Sequence, residues 1–216
     1  MKKILLLTLA FISLCAAACR EQAIIPELPA PVTIAVAPYN QPTNEAQLLA
    51  GYIPKEQGLA SAVDFARYNE LLKTKLQKTQ RNYIFLTQSD LSVSIQGDSK
   101  NRPNVLATWA KIAQDKNADY ILVPQILEHE EKQGVGGDVF SPARLIADFY
   151  LVKALHPETE SKDGFLQARS HYQEISFIKV NASGEDYVSP RQRQNIIYFV
   201  NESMNKMIHE FHLSLQ

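Results

Sequence analysis

No cysteine follows Cys19, so whatever the chain folds downstream of that residue is held without a disulfide. Both cysteines, Cys15 and Cys19, sit at the end of an N-terminal apolar segment. Lys2 and Lys3 give it a positive start. Ile4 to Ala18 is too short an apolar run to cross a bilayer, which takes about 20 residues. Ala16 and Ala18 are the small residues that precede a signal-peptide cut. Residues 1–18 are therefore expected to be a signal peptide that is removed together with Cys15. Cys19 is then the first residue of the mature chain and its one cysteine.

A lone free thiol is an odd residue to keep at the tip of an exported protein, whereas a lipidated cysteine explains its presence. Leu14-Cys15-Ala16-Ala17-Ala18-Cys19 resembles the bacterial lipoprotein pattern of an aliphatic residue, two small residues and cysteine, with Ala16 where leucine is usual. The resemblance implies fatty acyl chains, palmitate among them, on Cys19. At about 0.8 kcal/mol per buried methylene, more than one chain anchors stably. Arg20 stands where, in enteric-like bacteria, an aspartate signals inner-membrane retention. The expected location is the outer membrane, lipid-anchored and facing the periplasm.

Removing Lys2 and Lys3 takes the 22 basic residues to 20 against 23 acidic, a net charge near −3. Nothing in that balance favours nucleic acid, and no second apolar stretch favours a membrane span. Residues 19–31, the lipidated cysteine and a segment with three prolines, read as a tether. Residues 32–216 have the length of a single globular periplasmic domain.

Val32 to Ala37 is β-branched and apolar, the pattern of a strand buried on both faces, and Pro38 ends it. Residues 39–59 are irregular, and a stretch this long between elements is often functional. Ser61 caps a helix through about Lys78, with Val63, Phe65, Ala66, Leu72 and Leu76 toward one side. Tyr83 to Leu86 is a second strand. Leu91 to Ile95 alternates until Gly97 to Pro103 breaks the pattern. Val105 to Asn117 is a second helix, with Leu106, Trp109, Ala110 and Ala113 as its inward stripe. The turn Asn117-Ala118-Asp119 leads into a third strand, which runs from Tyr120 to about Glu131. Strand, helix, strand, helix, strand is the rhythm of parallel pairing.

The pattern then changes. Gly134 to Gly137 turns the chain, and Ala143 to Ala154 returns with Leu145, Ala147, Phe149 and Leu151 on one face. Arg144, Asp148 and Lys153 do not all share the other face, which leaves room for a bulge. Pro157 to Gly164 is a further turn, and Gln167 to Ile178 is a more polar strand suited to an edge. Pro190 opens a last helix, striped by Ile196, Ile197, Val200, Met204, Met207, Ile208 and Phe211. The fold expected is α/β (α+β), with a mixed sheet, parallel in its first half and antiparallel in its second, and three main helices.

Chemistry is sparse. On a strand, His129 and Glu131 share one face and Glu128 and Glu130 the other, so two same-side ligands fall short of the three a metal usually needs. His209 and His212, near the end of the last helix, suit its dipole. The glycine run lacks the Gly-Lys-Ser/Thr ending of a phosphate loop. Ser141 has no Gly-x-Ser-x-Gly frame, and Asp148 is expected to pair with a neighbour such as Arg144. No enzyme, cofactor or metal is expected.

Ala118-Asp119-Tyr120-Ile121-Leu122-Val123 after a helix, the run Glu128-His129-Glu130-Glu131, the glycine turn, Val139-Phe140-Ser141-Pro142-Ala143 and Asp148-Phe149-Tyr150-Leu151-Val152 together resemble segments of a group of bacterial envelope lipoproteins. That group includes the periplasmic domain of the curli-secretion channel lipoprotein and a lipoprotein activator of a penicillin-binding protein. The resemblance implies a mixed sheet with helices against it. A pore is not expected, because no strand pair sustains lipid-facing alternation and Glu128, Glu130 and Glu131 would be costly there. The function expected is a non-catalytic envelope lipoprotein that binds or scaffolds a protein partner. The alternatives are a subunit of an oligomeric secretion or transport assembly and, further off, an envelope-polymer hydrolase. The segment 39–59 and the hairpin 133–142 are the expected contact surfaces, with Gly136, Gly137, Ser141 and Arg144 as candidate partner-binding residues.

Overall fold

A computed structural model of the protein describes residues 28, 31–55, 57–91, 104–135, 138–141, 143–154, 165–173 and 196–214. In chain order its strands are β1 (Thr33–Val36), β2 (Asn82–Phe85), β3 (Tyr120–Glu130), β4 (Gln133–Val135), β5 (Asp138–Ser141), β6 (Arg144–Lys153) and β7 (Phe165–Gln173). Its helices are α1 (Ala62–Gln77), α2 (Val105–Asp115) and α3 (Ile196–Glu210). The main sheet has the order β2-β1-β3-β6-β7, and β4 and β5 form a small separate hairpin. β2, β1 and β3 run parallel, whereas β3, β6 and β7 run antiparallel, so the mixed sheet divides as the sequence indicates.

Strand periodicity sorts the core into two layers. Ile34, Val36, Leu122, Leu145, Phe149 and Leu151 face α1 and α3, where Tyr68, Leu72, Leu76, Val200, Met204 and Met207 meet them. Ala35, Ile121, Val123, Tyr150 and Val152 face α2 through Ala110, Ile112 and Ala113. Each fully buried large apolar side chain is worth about 1.5–3 kcal/mol, which suffices for a core without disulfides.

The helices begin where their caps sit. Ser61 and Asp64 form a capping box, with the Ser61 side chain accepting from the Asp64 N–H and the Asp64 carboxylate accepting from the Ser61 N–H. Asn104 caps α2 by accepting from the Ala107 N–H. One expectation about an inward face fails and another is incomplete. Val63 is 77% exposed and Ala66 is also exposed, because the buried row of α1 is Tyr68-Leu72-Leu76, four residues apart. The inner face of α2 includes Ile112, which the sequence stripe omits.

The bulge is real but lies on the other strand. Ile126 pairs with Ala147 and Glu128 with Ile146, so Leu127 is the extra residue and β3 bends rather than β6. β7 is an edge strand that starts at Phe165, earlier than expected. Residues 92–103, 174–178 and 190–195 of the expected elements lie outside the described residues.

Candidate functional site

In the order β2-β1-β3, the helix after β1 packs on one face and the helix after β2 on the other. The chain therefore diverges at the carboxyl ends of the neighbouring strands β1 and β2, the place where open α/β sheets leave a crevice for ligands. Residues 39–60 fill this end. Asn40 bridges to Gln125 as a parallel extension of β1, its N–H donating to the Pro124 carbonyl and its carbonyl accepting from the Ile126 N–H. Side-chain amides then hold the loop. Gln41 donates to the Gly58 carbonyl at 2.7 Å and accepts from the Ala60 N–H at 2.9 Å. Gln57 donates to the Pro42 carbonyl, and Gln125 to the Gln47 carbonyl. Gly58 lies so close to β3 that a Cβ there would stand 2.2 Å from the His129 carbonyl oxygen.

That contact sets Asp64, Tyr68 and His129 together on the α1 face. Asp64 is in the first turn of α1 and Tyr68 is one turn on, so both project to the same side. The Tyr68 hydroxyl is 2.8 Å from His129 Nε2, and His129 is only 4% exposed. Ligand atoms of Asp64, His129 and Glu131 all lie within 4.8 Å of one another. Burial pushes the imidazole below its usual pKa, opposed by the charges of Asp64 and Glu131. Burial raises the Tyr68 hydroxyl, and the same two carboxylates raise it further. The Ser61 hydroxyl holds Asp64 below the usual carboxylate range, with His129 and Arg67 contributing. Tyr39 packs edge-on against Tyr68 at 6.0 Å, and its hydroxyl is buried with no partner among the described residues.

On the α2 face of the same end is a cavity of about 210 Å³, lined by Asn40, Gln41, Gln47, Thr108, Trp109 and Ile112 among others. Tyr52, Leu59 and Val63 are the large exposed hydrophobics among the described residues, and all three belong to residues 39–60 or to the first turn of α1.

The candidate contact surfaces converge here. β4 and β5 flank positions 136 and 137 as antiparallel strands, which makes the glycine turn a hairpin at the tip of the β3–β6 pair. Gly136 and Gly137 themselves lie outside the described residues. The backbone of Ser141 pairs with Gln133. Arg144 is held 3.8 Å from both Glu128 and Glu130 across the bulged pair and does not pair with Asp148. Asp148, fully buried, accepts instead from the Tyr150 hydroxyl at 2.9 Å. His209 and His212 are exposed at the far end of α3. The sequence did not single out Asp64 and Tyr68, which stand 65 and 61 residues before His129. The capping box was the available signal for Asp64.

No protein-family model matches the sequence, and no curated protein matches it. Among solved structures the fold is similar to the PelC dodecamer from Paraburkholderia phytofirmans, at 12% identity and a TM-score of 0.48 over 88% of this chain and 94% of that one. It is also similar to the LpoB C-terminal domain from Salmonella enterica, at 12% identity and a TM-score of 0.34 over 68% and 85% of the two chains. Lipoprotein GNA1162 from Neisseria meningitidis overlaps at 11% identity and a TM-score of 0.35 over 83% and 99%. A lipoprotein is thus among the similar structures, and none of these three is the curli channel. Overlaps of this order assign no function.

Proposed function

We propose that this chain is a membrane-anchored envelope lipoprotein, non-catalytic, that holds a protein partner at the carboxyl end of its parallel strands. The observation that carries the reading is the leader ending at Cys19, with no other cysteine after it. The position of Leu28 supports a direction for such an anchor. Leu28, within the proline-rich segment, is buried in the core, and Arg81 donates to its carbonyl. Arg81 precedes β2, so the chain enters at the amino end of the parallel strands, opposite the loop 39–60. Residues 20–27 span at most roughly 28 Å when extended, which keeps the domain near the bilayer with its carboxyl end turned outward. Tyr52, Leu59 and Val63 are the exposed apolar groups there, and such side chains gain most from being covered by a partner. The outer membrane is the location that Arg20 favours.

The test is co-purification of the full chain from crosslinked envelopes, read by mass spectrometry. Acyl mass on Cys19 and one reproducible protein partner are expected, and Cys19→Ala should release the chain from membranes. An unmodified thiol would contradict the anchor. The absence of any partner after crosslinking would contradict the scaffold role. A large homo-oligomer on detergent extraction would place the chain in a secretion or transport assembly instead.

A further inference from the structure

We propose that Asp64, His129 and Glu131 form a binding site for a divalent transition-metal ion, with one imidazole nitrogen and two carboxylate oxygens as ligands and water completing the shell. The three come from two segments far apart in sequence, the first turn of α1 and the bulged end of β3 with the residue just beyond it, yet their ligand atoms already lie within 4.8 Å of one another. A small contraction brings each to about 2.0–2.2 Å from a common centre. Asp64 has a coordinating atom to spare, since its Oδ2 takes both capping bonds from Ser61. The Tyr68 hydroxyl, 2.8 Å from Nε2, fixes the ring plane of a histidine that is otherwise enclosed. Nearby, the buried Tyr39 hydroxyl beside Tyr68 has no hydrogen-bond partner among the described residues.

The donor set selects the ion. A nitrogen with two carboxylates suits zinc and its neighbours, whereas calcium and magnesium take oxygen ligands throughout. Two carboxylates beside a neutral imidazole also match the double charge of the ion. Three protein ligands leave coordination positions open, the pattern of an exchangeable site. Bound there, the ion would clip the start of α1 to the end of β3. The inference does not depend on the partner-holding role.

The experiment is a zinc titration of the mature lipoprotein, solubilised in detergent and stripped with chelator, followed by calorimetry and thermal unfolding. One ion per chain and a raised melting temperature are expected, with magnesium and calcium producing neither. Glu131 is exposed, so Glu131→Gln spares folding, and it should weaken uptake by about tenfold or more. The double variant His209→Gln, His212→Gln should bind as the parent does. The proposal is overturned if the parent takes up no zinc, if E131Q binds as tightly as the parent, or if the double variant abolishes uptake.

Discussion

At the amino end of the parallel strands, Arg81 donates through Nε to the Leu213 carbonyl at 2.8 Å and through Nη2 to the His212 carbonyl at 2.9 Å, and reaches the Leu28 carbonyl. At the carboxyl end, the Tyr39 hydroxyl and Gln125 Oε1 are buried without partners among the described residues, and three ionisable groups converge. One end ties Leu28 to the segment after α3 through one cation shared among carbonyls. The other leaves polar capacity unused beside exposed Tyr52 and Leu59. Burying a polar atom unpaired costs about 1–3 kcal/mol, so this end gives up stability where the partner is proposed to bind. The sheet between the two ends is ordinary core, and under the proposed function the first end serves attachment and the second recognition.

The contrast can be broken, and the largest effect should come from the closed end. Arg81→Leu removes a buried charged donor and strands the carbonyls it serves, so urea denaturation should show a loss of at least about 3 kcal/mol. A loss under about 1 kcal/mol would show that the clamp carries little. Next is Gly58→Ala at the open end, which drives a Cβ against the His129 carbonyl. About 1–3 kcal/mol should be lost, with faster proteolysis inside residues 39–60. The hydroxyls of the neighbouring Tyr68 and Tyr39 sharpen the comparison by sign. Tyr68→Phe removes a made bond and should cost about 1 kcal/mol, whereas Tyr39→Phe removes an unmade one and should be neutral or stabilising by up to about 1 kcal/mol. The smallest effect belongs to neither end. Lys111 and Asp115 form an exposed i,i+4 pair, so Lys111→Ala should shift stability by less than about 0.5 kcal/mol.

Much of the core was legible because its periodicities are local. The continuous apolar run of β1, the one-face row Leu145, Ala147, Phe149 and Leu151 of β6, the cap at Ser61 and the apolar row of α3 all follow from neighbouring residues. The candidate site was not, and Leu127 shows why. Extending the parity of Leu122 and Ile126 along β3 puts Glu128 and Glu130 on the α1 face and His129 on the opposite one. The extra residue reverses that, turning His129 toward Tyr68 and the glutamates toward Arg144. A bulge is a register relation between two strands, so no single-strand pattern locates it. Asp64 joins His129 only through tertiary contact, and that contact depends on a glycine whose role is to have no side chain. Val63 misled for a simpler reason. An apolar residue in a helical first turn reads as inward, yet Val63 lies off the buried row of Tyr68, Leu72 and Leu76, while Phe65 in the same turn packs against the core.

The most direct test of the division between the two ends is site-specific photocrosslinking in living cells, comparing a probe at Leu59 with one at Gln80, both exposed and at opposite ends of the sheet. The account expects a discrete protein adduct from position 59 and none from position 80. Equal adducts from both positions, or an adduct from position 80 alone, would contradict it.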